Sequence, residues 1–120
     1  MQNYLIKTIE EINQNTNLTY NEQKYLYTLA LAIFETDPNI LKNISFNGYT
    51  ECCLCVIKEN DNWKLSHAER GSWHYTKEHD TINSLCDDLI NRLFNLEDKE
   101  NVTNSFNKLI KKEPSKIKKL

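Results

Sequence analysis

Residues 49–58 restrict the possible folds more than any other segment. The sequence YTECCLCVIK has the alternation of a strand, and both alternate faces are apolar: Cys52, Leu54 and Val56 on one, Cys53, Cys55 and Ile57 on the other. A strand that is apolar on both faces lies inside a sheet and is covered by other elements. Turn residues at 59–62 and a Trp-bearing run at 63–68 follow, so the segment predicts the first strand of a hairpin.

The tripeptide Glu69-Arg70-Gly71 interrupts the second strand, and residues 72–75 predict a short third strand that closes an antiparallel meander. The glycine permits a positive φ at the bend, and the Glu and Arg side chains could form a charge-assisted pair. Two interpretations stay open. The corner is either a structural hairpin bend or a rigid charged platform, flanked by Trp63 and Trp73, that contacts a protein.

Helical periodicity surrounds these strands. Residues 2–14 carry a narrow apolar stripe, and Thr19-x-x-Glu22 predicts the capping box of a second helix that ends at Asp37-Pro38. After the strands, Thr76 predicts the N-cap of an amphipathic helix over 77–95, and a weaker helix is expected over 98–112. We therefore expect an α+β fold: two N-terminal helices, a three- to four-stranded antiparallel meander and a C-terminal amphipathic helix packed on the sheet.

Charge divides the chain into two parts. Residues 1–107 hold nine Lys and Arg against sixteen Asp and Glu, a net charge of −7, whereas residues 108–120 hold six Lys against one Glu, a net charge of +5. With 120 residues and 39% hydrophobic content, we expect a single domain over 1–107 and a basic tail over 108–120. The N-terminus lacks the pattern of a leader and no apolar run could span a bilayer, so a soluble, monomeric, cytoplasmic protein without membrane contact is expected.

Metal and catalytic motifs are weak. Adjacent strand residues Cys52 and Cys53 point to opposite faces, and Cys86 falls on an apolar helical stripe, so the cysteines indicate core packing rather than zinc binding. No nucleophile elbow, His-Glu-x-x-His motif or phosphate loop accompanies the three histidines. The pair Asp87-Asp88 is expected on a solvated helix face. We predict no enzyme activity, no metal and no cofactor, although an enzyme using His67 or His74 stays open if a pocket gathers further polar groups there.

Three local motifs occur together with this order of elements. They are the strand containing Trp63, the corner Ala68-Glu69-Arg70-Gly71, and Tyr75-Thr76-x-Glu78 before the amphipathic helix. Over residues 47–95 this combination resembles small immunity proteins of bacterial polymorphic and contact-dependent toxin systems. The resemblance implies a non-enzymatic cytoplasmic inhibitor that binds the C-terminal toxin domain of a cognate secreted effector, in many cases a basic nuclease.

The acidic body agrees with such a partner, because opposite charge speeds association with a basic protein, whereas like charge repels nucleic acid. On this interpretation the toxin-facing residues are Asp61, Glu69, Arg70, Trp73, Glu78 and Asp80. The alternative is a small regulatory or scaffolding module that binds a peptide or nucleic acid through the Lys-rich tail. Deleting the tail distinguishes the two, because only the alternative requires it.

Overall fold

A computed structural model describes residues 4–112. In chain order the elements are α1 (Tyr4–Gln14), α2 (Tyr20–Thr36), a 3-10 helix (Pro38–Asn43), β1 (Ile44–Ser45), β2 (Leu54–Glu59), β3 (Asn62–Glu69), β4 (Ser72–His79), α3 (Ile82–Leu93) and α4 (Leu96–Lys112). Helices precede and follow one four-stranded sheet, so the expected α+β class is confirmed.

The sheet has the strand order β1-β2-β3-β4. Strands β2, β3 and β4 form the predicted antiparallel meander, and the two-residue β1 adds a parallel pairing beside β2 that the sequence did not indicate. Strand β2 has a neighbour on each side, as its two apolar faces predicted. Among residues 4–112, strand β4 has a partner on one side only and forms the outer edge of the sheet.

Strand β2 begins at Leu54, later than predicted. Before it the chain turns: the Cys53 N–H donates to the Thr50 carbonyl, and Cys52 has a φ of 63°. Cys52 is exposed, so its expected place on an apolar strand face is wrong. The left-handed backbone at Cys52 turns the residue out of the strand alternation on which that expectation depended. Cys53 and Cys55 are buried, as expected.

Helix α2 begins and ends where the sequence indicates. Thr19 Oγ1 accepts the Glu22 N–H at 3.2 Å, and a Glu22 carboxylate oxygen accepts the Thr19 N–H at 2.8 Å, which completes the capping box. Lys58 Nζ on β2 lies 2.6 Å from the same carboxylate and connects the helix to the sheet. Asp37 is the C-cap, directly before Pro38.

Helix α3 starts five residues later than predicted. Its N-cap is Thr81, which accepts the Ser84 N–H, whereas Thr76 lies within β4. The expectation that Tyr75-Thr76-x-Glu78 opens a helix is therefore wrong. The physical reason is pairing: β4 continues to His79 opposite Trp63, and these ladder hydrogen bonds outweigh a local N-cap preference.

The main core lies between the sheet and the helices. Leu54, Val56, Trp63 and Leu65 are buried in one cluster with residues of α2, α3 and α4, and α3 packs on β3 and β4 as predicted. Helix α4 packs on α2, with Val102 fully buried. A smaller cluster of Cys53, Cys55 and Ala68 lies on the other face of the sheet. Within residues 4–112, none of the helices combines the length and hydropathy of a membrane span.

The expected boundary at residue 108 falls inside a helix. Helix α4 continues through Lys108 to Lys112. Residues 113–120, which hold Lys116, Lys118 and Lys119, lie outside the described residues, and so does most of the predicted basic tail.

Candidate functional site

The most exposed regular element of the described chain is β4. Every residue from Ser72 to Glu78 is exposed, and only His79 at its end is buried. Two large aromatic side chains stand out from this strand: Trp73 is 45% exposed and Tyr75 is 81% exposed. An edge strand with exposed aromatic residues is an uncommon surface for a free globular protein, because such residues are usually buried or bound.

A β-bulge at Tyr75 interrupts the β3–β4 ladder. Leu65 pairs with Lys77 and His67 pairs with His74, so β4 contains one more residue than β3 over this interval. Tyr75 has a φ of 55°. On β3, the buried Ser66 hydroxyl donates to the His74 carbonyl at 3.2 Å and lies 2.5 Å from Thr76 Oγ1. The bulge is therefore tied to β3 on both of its sides.

Helix α3 holds the same bulge through an arginine. Arg92 Nη1 donates to the Tyr75 carbonyl at 2.8 Å. The Nε and Nη2 groups of Arg92 donate to the two Asp88 carboxylate oxygens at 3.0 and 3.1 Å. Such a two-point contact fixes the plane of the guanidinium and leaves Nη1 to donate to β4.

The network continues to His79 at the end of β4. His79 Nε2 lies 2.8 Å from Asp88 Oδ2, and His79 Nδ1 lies 2.7 Å from Ser84 Oγ. Burial raises the pKa of Asp88, but the hydrogen bonds from His79 and Arg92 and the Arg92 charge outweigh it, so the pKa lies below its ordinary value. The expected solvated face at Asp87-Asp88 is wrong for Asp88, which is half-buried in this network.

Ser84, His79 and Asp88 have the contacts of a hydrolase triad, but their surroundings indicate a structural role. Asp88 is already neutralised by the two-point contact with Arg92, so it supports an imidazolium less well than a free carboxylate would. The Ser84 N–H is occupied by the cap contact with Thr81 and cannot stabilise an oxyanion.

The predicted corner is a tight hairpin turn. Arg70 and Gly71 have φ values of 53° and 75°, so the expected positive φ at the glycine is confirmed. Among the described residues no ion pair joins Glu69 to Arg70, and the expected pair is wrong; Glu69 Oε2 lies 4.0 Å from His67 Nε2 instead. The Arg70 N–H donates to the Glu51 carboxylate, and this hydrogen bond holds the pKa of Glu51 below its usual value.

Tyr49 supports Trp73 at this end of the strand. The two rings meet edge to face with centroids 4.9 Å apart. Tyr49 Oη donates to Glu51 Oε2 at 3.0 Å, and the Glu51 carboxylate also accepts the Arg70 N–H. These contacts join the loop before β2 to the hairpin corner. Such a pair restricts the Trp73 ring while one side of it stays open to solvent.

A cleft of about 630 Å³ lies beside the bulge. Its lining residues come from the sheet, the turn before β2, the 3-10 helix and the end of α3: Asn43, Cys52, Leu54, His67, Tyr75, Arg92 and Leu93. Polar side chains line this cleft together with His67, as an enzyme using His67 would require. The Arg92 guanidinium, however, is engaged by Asp88 and the Tyr75 carbonyl. Among residues 4–112 no group of three or more His, Cys, Asp or Glu side chains could hold a metal ion.

The six residues predicted to face a partner lie on or beside the β3–β4 hairpin, in two groups. Glu69, Arg70 and Trp73 are at the corner, whereas Asp61, Glu78 and Asp80 are near the opposite end. The eight residues of β3 separate the two ends by roughly 24 Å. Sequence reasoning missed Tyr75 and Arg92 as members of this surface. Tyr75 was assigned to a short strand and Arg92 to the following helix, and no sequence signal could show their contact, because it depends on the packing of α3 against β4.

No family model matches the chain, and no curated protein or solved structure matches it either.

Proposed function

We propose that this chain is a cytoplasmic immunity protein, a non-enzymatic inhibitor that binds the C-terminal toxin domain of a cognate secreted bacterial effector. The observation that carries the proposal is β4: an outer strand, exposed from Ser72 to Glu78, that presents Trp73 and Tyr75. Aromatic residues with a neighbouring arginine are the residue types that dominate binding energy at protein interfaces. Such a surface suits a protein partner better than a small substrate.

The partner contacts side chains of β4 rather than adding a strand to it. A bulge breaks the regular spacing of main-chain groups that strand addition requires. The Tyr75 carbonyl at the bulge is already occupied by Arg92. The same features protect the free protein from edge-to-edge association.

Charge favours a basic partner. The net charge of −7 over residues 1–107 attracts a basic toxin domain, such as a nuclease, and accelerates its capture. Glu69 at the corner and Asp61, Glu78 and Asp80 at the other end are exposed acidic residues on or beside the β3–β4 hairpin. Association should therefore slow as ionic strength rises.

If the proposal is right, affinity capture of the tagged protein at low salt recovers a large secreted protein, and the decisive experiment uses the C-terminal toxin domain of that protein, which we call the neighbouring toxin domain. Co-expression should restore growth of cells that produce it, and the two purified proteins should form a one-to-one complex. Trp73→Ala should weaken the complex at least tenfold, an effect of about 1.4 kcal/mol. Tyr20→Ala is the matched control, because Tyr20 is 52% exposed on α2, away from β4.

Absence of both rescue and complex formation would overturn the proposal. A complex that is equally sensitive to Trp73→Ala and Tyr20→Ala would place the contact elsewhere on the molecule. Glu69→Lys and Glu78→Lys, measured separately, report which end of the hairpin lies closer to the toxin.

The non-enzymatic part of the proposal is tested at Ser84. If the Ser84–His79–Asp88 contacts were catalytic, a fluorophosphonate probe would label Ser84 and the label would disappear in His79→Gln. We expect no labelling of the folded wild-type protein. Stoichiometric labelling would favour a hydrolase instead.

The alternative function uses the basic tail. Removing residues 113–120 leaves α4 intact and deletes Lys116, Lys118 and Lys119. The immunity proposal predicts an unchanged affinity for the neighbouring toxin domain. Loss of binding to a nucleic acid or peptide on this truncation, with a steep dependence on salt, would favour a tail-directed regulatory module.

A further inference from the structure

Tyr75 combines two properties that rarely occur together. It has a left-handed backbone, with a φ of 55°, and its side chain is 81% exposed. Bulky residues avoid this conformation, because their Cβ atom approaches the following carbonyl. Glycine would adopt it without that clash, and an exposed ring contributes little to folding through burial. The fold alone does not explain a tyrosine at this position.

The surroundings hold this conformation from both sides. Arg92 donates to the Tyr75 carbonyl, and Arg92 is itself fixed by Asp88. Ser66 and Thr76 join the bulge to β3. A strained residue persists only where its neighbours over-determine it, and such residues concentrate at functional sites.

We propose that Tyr75 is the principal anchor of the partner-binding surface and that Arg92 is its positioning residue. This inference rests on the proposed function and adds to it a residue and a mode of contact. The bulge projects the Tyr75 ring beside the cleft that it lines with Arg92 and His67. A basic partner supplies Lys or Arg side chains, which bind the face of an aromatic ring.

The first test needs no partner. Tyr75→Gly removes the backbone strain and loses little buried area, so the thermal midpoint should rise, by about 4 °C for a chain of this size. Tyr75→Phe keeps the ring and the strain and should leave the midpoint unchanged. A fall of several degrees in Tyr75→Gly would show that the ring serves the fold, and would overturn the inference.

The second test measures affinity for the neighbouring toxin domain. Tyr75→Gly should weaken binding roughly 30-fold, the effect of losing a dominant interface residue, while Tyr75→Phe should stay within about threefold of the wild type. Arg92→Lys keeps the positive charge beside Asp88 but cannot also hold the Tyr75 carbonyl, and it should weaken binding about fivefold.

The positioning role is tested by combining the variants. If Arg92 acts through Tyr75, then Arg92→Lys should have almost no further effect on affinity in the Tyr75→Gly background. Additive effects would mean that Arg92 contributes to binding independently, and would overturn its assignment. Wild-type protein that fails to bind the toxin domain refutes the proposed function, whereas wild-type binding that Tyr75→Gly leaves unchanged refutes only this inference.

Discussion

Ser66 illustrates how one buried hydroxyl can determine the shape of an exposed strand. Its side chain is 1% exposed, and it contacts β4 on both sides of the bulge. A serine within an otherwise strand-like sequence gave no sign of this role. The pattern of residues 63–68 predicted the strand, but the partner of Ser66 depends on the pairing with β4.

Replacing Ser66 with Ala should lower the free energy of unfolding by about 1 kcal/mol, because the His74 carbonyl and the Thr76 hydroxyl lose their shared partner. Urea denaturation followed by circular dichroism measures the change. Ser72→Ala, at an exposed position of β4, should change stability by less than about 0.5 kcal/mol. Equal effects of the two variants would contradict the importance of the Ser66 contacts.

Asp88 makes part of the stability depend on pH. Because its folded pKa lies below the unfolded value of about 3.9, its contribution is complete above that value and is lost as the pH falls through the folded pKa. At pH 7, Asp88→Asn should cost about 2 kcal/mol, since it removes charged hydrogen bonds with His79 and Arg92. As the pH falls through the folded pKa of Asp88, the two proteins should converge in stability.

Unfolding midpoints in urea at a series of pH values test this. Glu22 and Glu51 also have lowered pKa values, so wild type and Asp88→Asn should both lose stability in acid, and only their difference reports on Asp88. A difference that stays constant from pH 7 to pH 2 would show that Asp88 does not titrate with the fold.

At the scale of elements, local signals decided where α2 begins but not where α3 begins. The capping box between Thr19 and Glu22 lies entirely within one turn of helix, and both of its hydrogen bonds are present in the structure. Thr76 offered an equally acceptable N-cap, yet it lies within β4. Helix caps are local, whereas strand length depends on a partner distant in sequence, and here the ladder with β3 prevailed.

The β3–β4 turn permits a direct test of backbone conformation. Gly71→Ala should lower the free energy of unfolding by about 1 kcal/mol, because the φ of 75° disfavours a Cβ atom. The cost is purely conformational, since an added Cβ would meet nothing within 4 Å.

Arg70→Gly serves as the opposite control. Its φ of 53° is already unfavourable for a side chain, so this variant should equal or exceed the wild type in stability. Thermal unfolding of both variants checks the pair. A stable Gly71→Ala protein would mean that the turn can adopt another conformation.

For the whole molecule, the four cysteines show what tertiary structure adds. Cys53, Cys55 and Cys86 are buried and Cys52 is exposed. Burial also raises the pKa values of the three buried thiols, which further lowers their reactivity. The sequence predicted core packing for the cysteines as a group.

Ellman's reagent should therefore react with one thiol rapidly in the native protein and with four after denaturation. Cys52→Ser should abolish the rapid phase and leave the fold unchanged. Two or more rapid thiols in the native protein would show that the sheet or the α3 interface opens readily.

The sequence by itself determined the α+β class, the α2 helix with its cap and end, the β2–β3 hairpin, the glycine corner and the apolar stripe of α3. Each of these depends on residues close together in the chain, whose periodicity and turn chemistry act locally. Only the tertiary structure decided the length of β4, the exposure of Cys52, the strained Tyr75 and the network from Ser84 to Arg92. These features depend on contacts between residues distant in sequence, because pairing with β3 sets the register and α3 then brings Arg92 and Asp88 against β4.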